Sequence, residues 1–345
     1  MSFKLHVVCL GLSLACAHPA SRVDIQQPMI VTAGPPALVP LQQMDDATLF
    51  DAGTRAFQAG DFDQAAQRFD RLWQGFPTSP QLLPALFDAA LSQERLGRYG
   101  ESLLRLTKYL ALKDEPEAQF HAAFAEYQLH KLDAAAARLH TLTQRPGLKP
   151  LLKAQALLQE GVCKIEGGPR ADGEKLVREA LDAYARLDEP VDPALPAQAE
   201  FWLGEASRGS FKETLIDPSA MDDSRLQDAI EQKSKLLLTA QDHYLKAIRK
   251  GDGEWATAAG FRIGEMYEGF YGELVQAPLP KGLTPEQSAL YQDELHKRVR
   301  RLVEKAIRIY EQTLTQAQES GAKNSYRQKT QESLDRLRKL LLENS

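Results

Sequence analysis

Cysteine is scarce in this chain of 345 residues: three occur, and Cys9 and Cys16 both sit in the first sixteen positions. A disulfide framework is therefore excluded as the source of stability. An excess of basic charge is missing as well, the formal net charge being -5. A general nucleic-acid binder draws its affinity from Lys and Arg set against phosphates, so that class is excluded, and no RNA or DNA module is visible. No segment shows the period-two alternation that competes for a strand assignment. Catalytic signatures are lacking too. His121, His130 and His140 stand 9 and 10 residues apart, which gives no i, i+4 pair to hold a metal on one helix face. GPRADGEK interposes Glu174 before Lys175, and GDGEWA at 251–256 lies between helical patterns with no strand to present it, so neither reads as a phosphate or dinucleotide loop. Cys163, inside an amphipathic pattern, reads as a small buried hydrophobe. These absences point to a chain that is not an enzyme and needs no cofactor, metal or small-molecule substrate.

What is present begins with MSFKLHVVCLGLSLACAHPA, in which Lys4 precedes an apolar run from Leu5 to Leu14 and small residues surround Cys16. The run is too short to span a bilayer and has the layout of a bacterial export signal over residues 1–16. Two processing outcomes stay open. Leu12 to Ala15 form a permissive lipobox, after which Cys16 becomes the lipidated first residue of an anchored protein. Alternatively, Ala15-Cys16-Ala17 is an A-x-A site that releases a soluble periplasmic chain. Ala17 after Cys16, rather than an Asp, leans the address toward the periplasmic face of the outer membrane. Residues 18 to 43 contain five Pro and no sustained helical period, so 17–44 reads as a tether. Fully extended, it reaches on the order of 85 Å.

From Asp45 onward the pattern is amphipathic and helical. Aligning Gly60 with Gly97 and His130 gives spacings of 37 and 33 residues, a period near that of a helical-hairpin repeat. In the first unit Ala52 and Gly53 allow close helix approach, Phe62 closes the turn, Ala65 sits at the crossing, Phe69 fills the hairpin and Pro77 ends the second helix. The pattern continues through Ala89, Ala90 and Leu106, through Ala122, Ala123 and Leu139, and more loosely through Gly161, Gly168, Val177 and Ala180. Two further units start at Trp202-Leu203-Gly204 and Ile263-Gly264. Long helices are expected from about Leu226 to Lys250 and from Pro285 to about Gln318, and a solvated capping helix over roughly 324–343 carries Leu334, Leu337 and Leu341. The organisation is an N-terminal array over 45–190, a degenerate one with a Pro-rich insertion over 191–320, and the cap within 321–345.

These spacings and small-residue positions resemble the tetratricopeptide repeat family over roughly residues 45 to 320. The fold the resemblance implies is all-α: a right-handed solenoid of about five to six helical hairpins with a C-terminal capping helix. It also implies a groove lined by the first helices, and the position after each first-helix anchor is Phe50, Phe87, Phe120, Phe201 or Phe261, with Leu158 in the loose unit. Phe124 and Tyr127 extend that stripe, and Arg55, Arg95 and Arg208 supply charge along it. An aromatic floor suits a peptide ligand, although each ring can equally pack against the next helix. A second contact surface is expected around Phe270, Tyr271, Arg298 and Arg301, near the Pro-rich loop and the basic run HKRVRRL.

Residues 258 to 314 are similar to the C-terminal region of tetratricopeptide lipoproteins of the myxobacterial adventurous gliding motility complex. The shared features are the I-G-x-x-Y helix, the A-P-x-P-x-G-L loop, and Tyr291, Leu295, Lys305, Ala306 and Tyr310. The resemblance implies a lipid-anchored scaffold whose partners are other envelope proteins. The alternatives are a periplasmic chaperone or outer-membrane protein assembly factor, and a regulatory module of cell-wall enzymes.

Overall fold

The computed structural model describes residues 43–343 apart from 218–220, 278, 280 and 281. The expected export signal, Cys16 and nearly all of the tether lie outside the described residues. Among the described residues there are thirteen α-helices and no strand. The chain falls into two compact units, Met1–Asp114 and Glu115–Ser345.

The first unit contains α1 (Asp46–Gln58), α2 (Phe62–Gly75), α3 (Leu82–Arg95) and α4 (Tyr99–Leu112), each packed on the next. Short polar side chains start the first two helices: Asp45 accepts from the Thr48 amide at 2.8 Å and Asp61 from the Gln64 amide at 3.1 Å. Gly60 and Gly97 end α1 and α3 at positive φ, 77° and 70°. The amide after each reaches back five residues, Asp61 to the Ala56 carbonyl and Arg98 to Gln93, both at 2.9 Å, the geometry that ends a helix on a left-handed residue. The hairpin closes because Gly53 has no side chain: a Cβ there would lie 2.6 Å from the Phe69 ring, which is fully buried with Leu49, Ala65 and Leu72. Two ion pairs with the same 35-residue separation then tie α2 to α4. Asp63 meets Arg98 at 2.7 Å, and Asp70 accepts from Arg105 Nε at 2.7 Å.

The second unit contains α5 (Pro116–Gln128), α6 (Leu132–Thr143), α7 (Pro150–Gly167), α8 (Arg170–Ala185), α9 (Ala194–Glu213), α10 (Asp223–Arg249), α11 (Gly253–Gln276), α12 (Pro285–Ser320) and α13 (Ser325–Glu343). Each helix packs on its successor, and the odd-numbered helices also pack on one another in sequence. First helices of successive hairpins thus lie against one another, as in a helical solenoid. His130 ends α5 at φ 59° with the Lys131 amide on the Glu126 carbonyl at 2.9 Å, so it holds the turn that Gly60 and Gly97 hold earlier.

Close crossings recur down the unit. A Cβ on Gly161 would stand 2.7 Å from the Gly173 carbonyl oxygen, one on Gly204 2.5 Å from the Tyr244 ring, and one on Gly264 2.3 Å from the Tyr310 ring. Gly173 of GPRADGEK is thus a packing residue, and Asp252 of GDGEWA caps α11 by accepting from the Trp255 amide at 2.8 Å. The long helices depart slightly from expectation. α10 begins three residues early because Asp222 accepts from the Arg225 amide at 2.9 Å, and α12 runs on to Ser320, where Gly321 turns the chain at φ 69°. The last helix buries Leu334 and Leu337 on the array.

Candidate functional site

Three helices of the second unit bring a cluster of charge into the interior. Glu205 of α9 accepts from Arg208 Nε at 2.9 Å and from the Tyr244 hydroxyl of α10 at 2.6 Å, and Arg262 Nε of α11 stands 3.1 Å from its carboxylate. Arg262 Nη1 donates in turn to Glu265 at 2.8 Å. The side chains of Glu205 and Arg262 are 9% and 3% exposed. Burial alone would push the Glu205 carboxyl upward, but the Arg262 and Arg208 guanidiniums hold it at about 2 instead of 4.5. Burial opposes the charge on Arg208 and Arg262 too, and the Glu205 carboxylate nonetheless raises both.

A carboxylate with a depressed folded pKa stabilises the fold above its unfolded value and loses that contribution on acidification. Here the window runs from about 4.5 down to about 2, and the contribution is on the order of 3 kcal/mol. Urea unfolding of the full chain is expected to lose most of this by pH 3. Glu205→Gln should start less stable at pH 7 and show a correspondingly shallower fall, and equal slopes for the two proteins would refute the assignment.

Next to this cluster, α11, α12 and α13 enclose a cleft of about 600 Å³. Its existence follows from two glycines one turn apart on α11: a Cβ on Gly269 or Gly272 would meet nothing within 4 Å, so bare helix backbone forms one wall. Tyr271, Val275, Leu337 and Leu340 supply apolar surface, and Glu265, Glu268, His296 and Arg336 supply polar surface. Each wall carboxylate already has a guanidinium partner. Glu265 has Arg262, and Glu268 accepts from Arg336 at 2.7 Å and from the Tyr310 hydroxyl at 3.0 Å. Beside these pairs the cleft offers apolar area and the His296 imidazole.

The expected aromatic stripe divides by burial. Phe50, Phe87 and Phe120 are half-buried, with ring contacts to Phe69 at 5.8 Å, Tyr109 at 5.7 Å and His121 at 5.9 Å. Phe201 and Phe261 are buried rings, and Phe261 also lines the cleft. Phe201 packs on Tyr244 and Trp255 at 5.6 and 5.1 Å, and Phe261 on Tyr310 and Tyr326 at 6.0 and 5.5 Å. Leu158, Phe124 and Tyr127 are also buried, and the Tyr127 hydroxyl is hydrogen-bonded to Glu166. Arg208, expected at a groove margin, belongs to the buried cluster. Burial pushes the Cys163 thiol up to about 12.

At the second expected surface, Phe270 is buried against Phe211 at 6.0 Å, Tyr271 lines the cleft and Arg301 is exposed. The side chain of Arg298 lies outside the described residues. Of the residues behind the motility-lipoprotein resemblance, Lys305 sits over the Tyr267 ring at 4.4 Å and Ala306 and Tyr310 are fully buried, whereas Tyr291 is exposed.

Glu205, Arg262, Glu268, His296 and Arg336 were not singled out from sequence, because their partners are remote: Glu268 and Arg336 are 68 residues apart. The readable signal was Gly269 and Gly272 inside a helical pattern with no turn nearby. Among the described residues no group of three or more His, Cys, Asp or Glu is placed to hold a metal ion, and no helix is long and apolar enough to cross a membrane.

No family model matches the chain, and no curated protein matches it. Among solved structures it is similar to MamA, with 16% identity over 56% of this chain and 95% of that one at a TM-score of 0.40. It is also similar to a tetratricopeptide repeat protein from Parabacteroides merdae, with 14% identity over 85% and 98% at 0.42. A third likeness is to a Rap protein in complex with competence and sporulation factor, with 14% identity over 87% and 76% at 0.42. Likenesses at this level say nothing of what this chain binds or does.

Proposed function

We propose that this chain is a non-enzymatic scaffold that holds other proteins of a bacterial envelope complex together, anchored through lipid on Cys16 at the periplasmic face of the outer membrane, in machinery of the gliding-motility type. The observation that carries the scaffold reading is the disposition of its polar groups. The ionisable side chains that converge in the second unit neutralise one another, while half-buried rings and an apolar-walled cleft stay open to contact. A surface of that kind recognises protein by shape and apolar area. The address rests on the leader, where an apolar run from Leu5 to Leu14, too short to span a bilayer, precedes Cys16.

Phe87 and Phe120, one in each unit, are the stripe residues to test, because both are half-buried and helical. Affinity capture from detergent-solubilised envelopes, with the export signal intact, is expected to recover a defined set of envelope proteins. The Phe87→Ala, Phe120→Ala double variant should lose some of that set by tenfold or more while the chain itself is recovered in equal amount. Recovery of diverse unfolded outer-membrane clients would favour a chaperone instead.

A further inference from the structure

The twelfth helix outruns its neighbour. Its antiparallel register against α11 is set by three close approaches, Gly253 on Ser320, Gly260 on Thr313 and Gly264 on Tyr310. Carrying that register forward sets Gln276, the last residue of α11, level with about residue 297, and Gln276 and His296 do share the cleft wall. The first three turns of α12, roughly 18 Å of helix, therefore project past α11. None of the described side chains from 285 to 297 is buried, and Leu290 and Tyr291 are 64% and 38% exposed. Farther along, the same helix buries Val299, Val303, Ala306 and Tyr310.

Charge is segregated along this projecting stretch and the turn at its root. Residues 285–294 hold three carboxylates, Glu286, Asp293 and Glu294, and no base, whereas residues 295–301 hold four bases, Lys297, Arg298, Arg300 and Arg301, and no carboxylate. Laid antiparallel against itself with positions 295 and 296 facing each other, the stretch sets Asp293 and Glu294 opposite positions 298 and 297; laid parallel, it sets like against like. A two-fold axis perpendicular to the helix gives two identical chains this antiparallel arrangement and makes every contact twice. The pairs already present, Lys297 with Asp293 at 2.6 Å and Arg300 with Glu304 at 3.2 Å, are exposed, so exchanging them costs little.

We propose that the projecting start of α12 docks on a second copy of this chain, antiparallel to that copy's α12, with Leu290 and Tyr291 at the mouth of its cleft. His296, at the root of the projection and on the cleft wall, joins the two surfaces into one. The partner is fixed by the charge pattern: the stretch is complementary to its own sequence.

The test uses the full-length chain in cells, in two differently tagged copies, with a photoreactive benzophenone residue in place of Tyr291. Illumination is expected to give an adduct carrying both tags, with the cross-link falling within residues 265–304 of the second copy. An adduct to another protein or to lipid, or none, overturns the proposal. Asp293→Lys with Glu294→Lys in both copies should cut the adduct at least tenfold, as should Lys297→Glu with Arg301→Glu. One copy of each variant together should restore it, which also shows that both fold, and failure to restore contradicts the antiparallel match. Gly269→Leu with Gly272→Leu, which fill the cleft without meeting a neighbour at Cβ, should abolish the adduct as well.

Discussion

Glu205→Ala is expected to lower the stability of the second unit by about 3–5 kcal/mol and its melting temperature by roughly 10 °C. The substitution removes the carboxylate that lies 2.9 and 3.1 Å from Arg208 and Arg262 and leaves two guanidiniums to share Glu265, at 3.6 and 2.8 Å, in a site where Arg262 is 3% exposed. Tyr244 loses its acceptor at the same time. Uncompensated buried charge is the expensive outcome, more so than absence of the whole group. Replacing Glu205, Arg208 and Arg262 together with Leu or Met is therefore expected to recover most of the loss. Calorimetry of the full chain decides this, and a single variant as stable as the parent would mean that Glu265 and water, not Glu205, satisfy the two arginines.

The second large effect separates glycines five residues apart on one helix. Gly264→Ala places a Cβ 2.3 Å from the ring of Tyr310, which is fully buried and hydrogen-bonded to Glu268, so neither side can give way cheaply. Overpacking of this kind costs about 1–3 kcal/mol. Gly269→Ala meets nothing within 4 Å and replaces the poorer helix former by the best, a gain of roughly 0.5–1 kcal/mol. Opposite signs in chemical denaturation are the expected result. If both substitutions stabilise, α11 and α12 do not cross at Gly264. If both destabilise, the wall of the cleft is not open helix backbone.

The hairpin repeat was legible because its signal is local. Gly60, Gly97 and His130 share a turn that demands a left-handed residue at a fixed place, and such a demand shows as spacing even where the residue type changes. Small residues at the crossings, Gly53, Gly204 and Gly264, were readable for the same reason. The contact surface was less legible. A position after a first-helix anchor tells which side of the helix a ring leaves from, but not what it meets. Phe201 and Phe261 are drawn inward by Tyr244 and Tyr310, the large rings that the neighbouring helices set opposite the glycines. The ion cluster and the cleft join α9, α10, α11, α12 and α13, and no period links residues that far apart in sequence.

The central claim, that the chain works by holding protein partners, is tested most directly by the stoichiometry of what co-purifies with it. Quantitative mass spectrometry of the complex captured from envelopes is expected to give a small set of proteins in fixed ratios to the chain, unchanged between preparations and reduced by Phe87→Ala with Phe120→Ala. A broad, variable population of clients, or a chain recovered alone under conditions that preserve other envelope complexes, would contradict it.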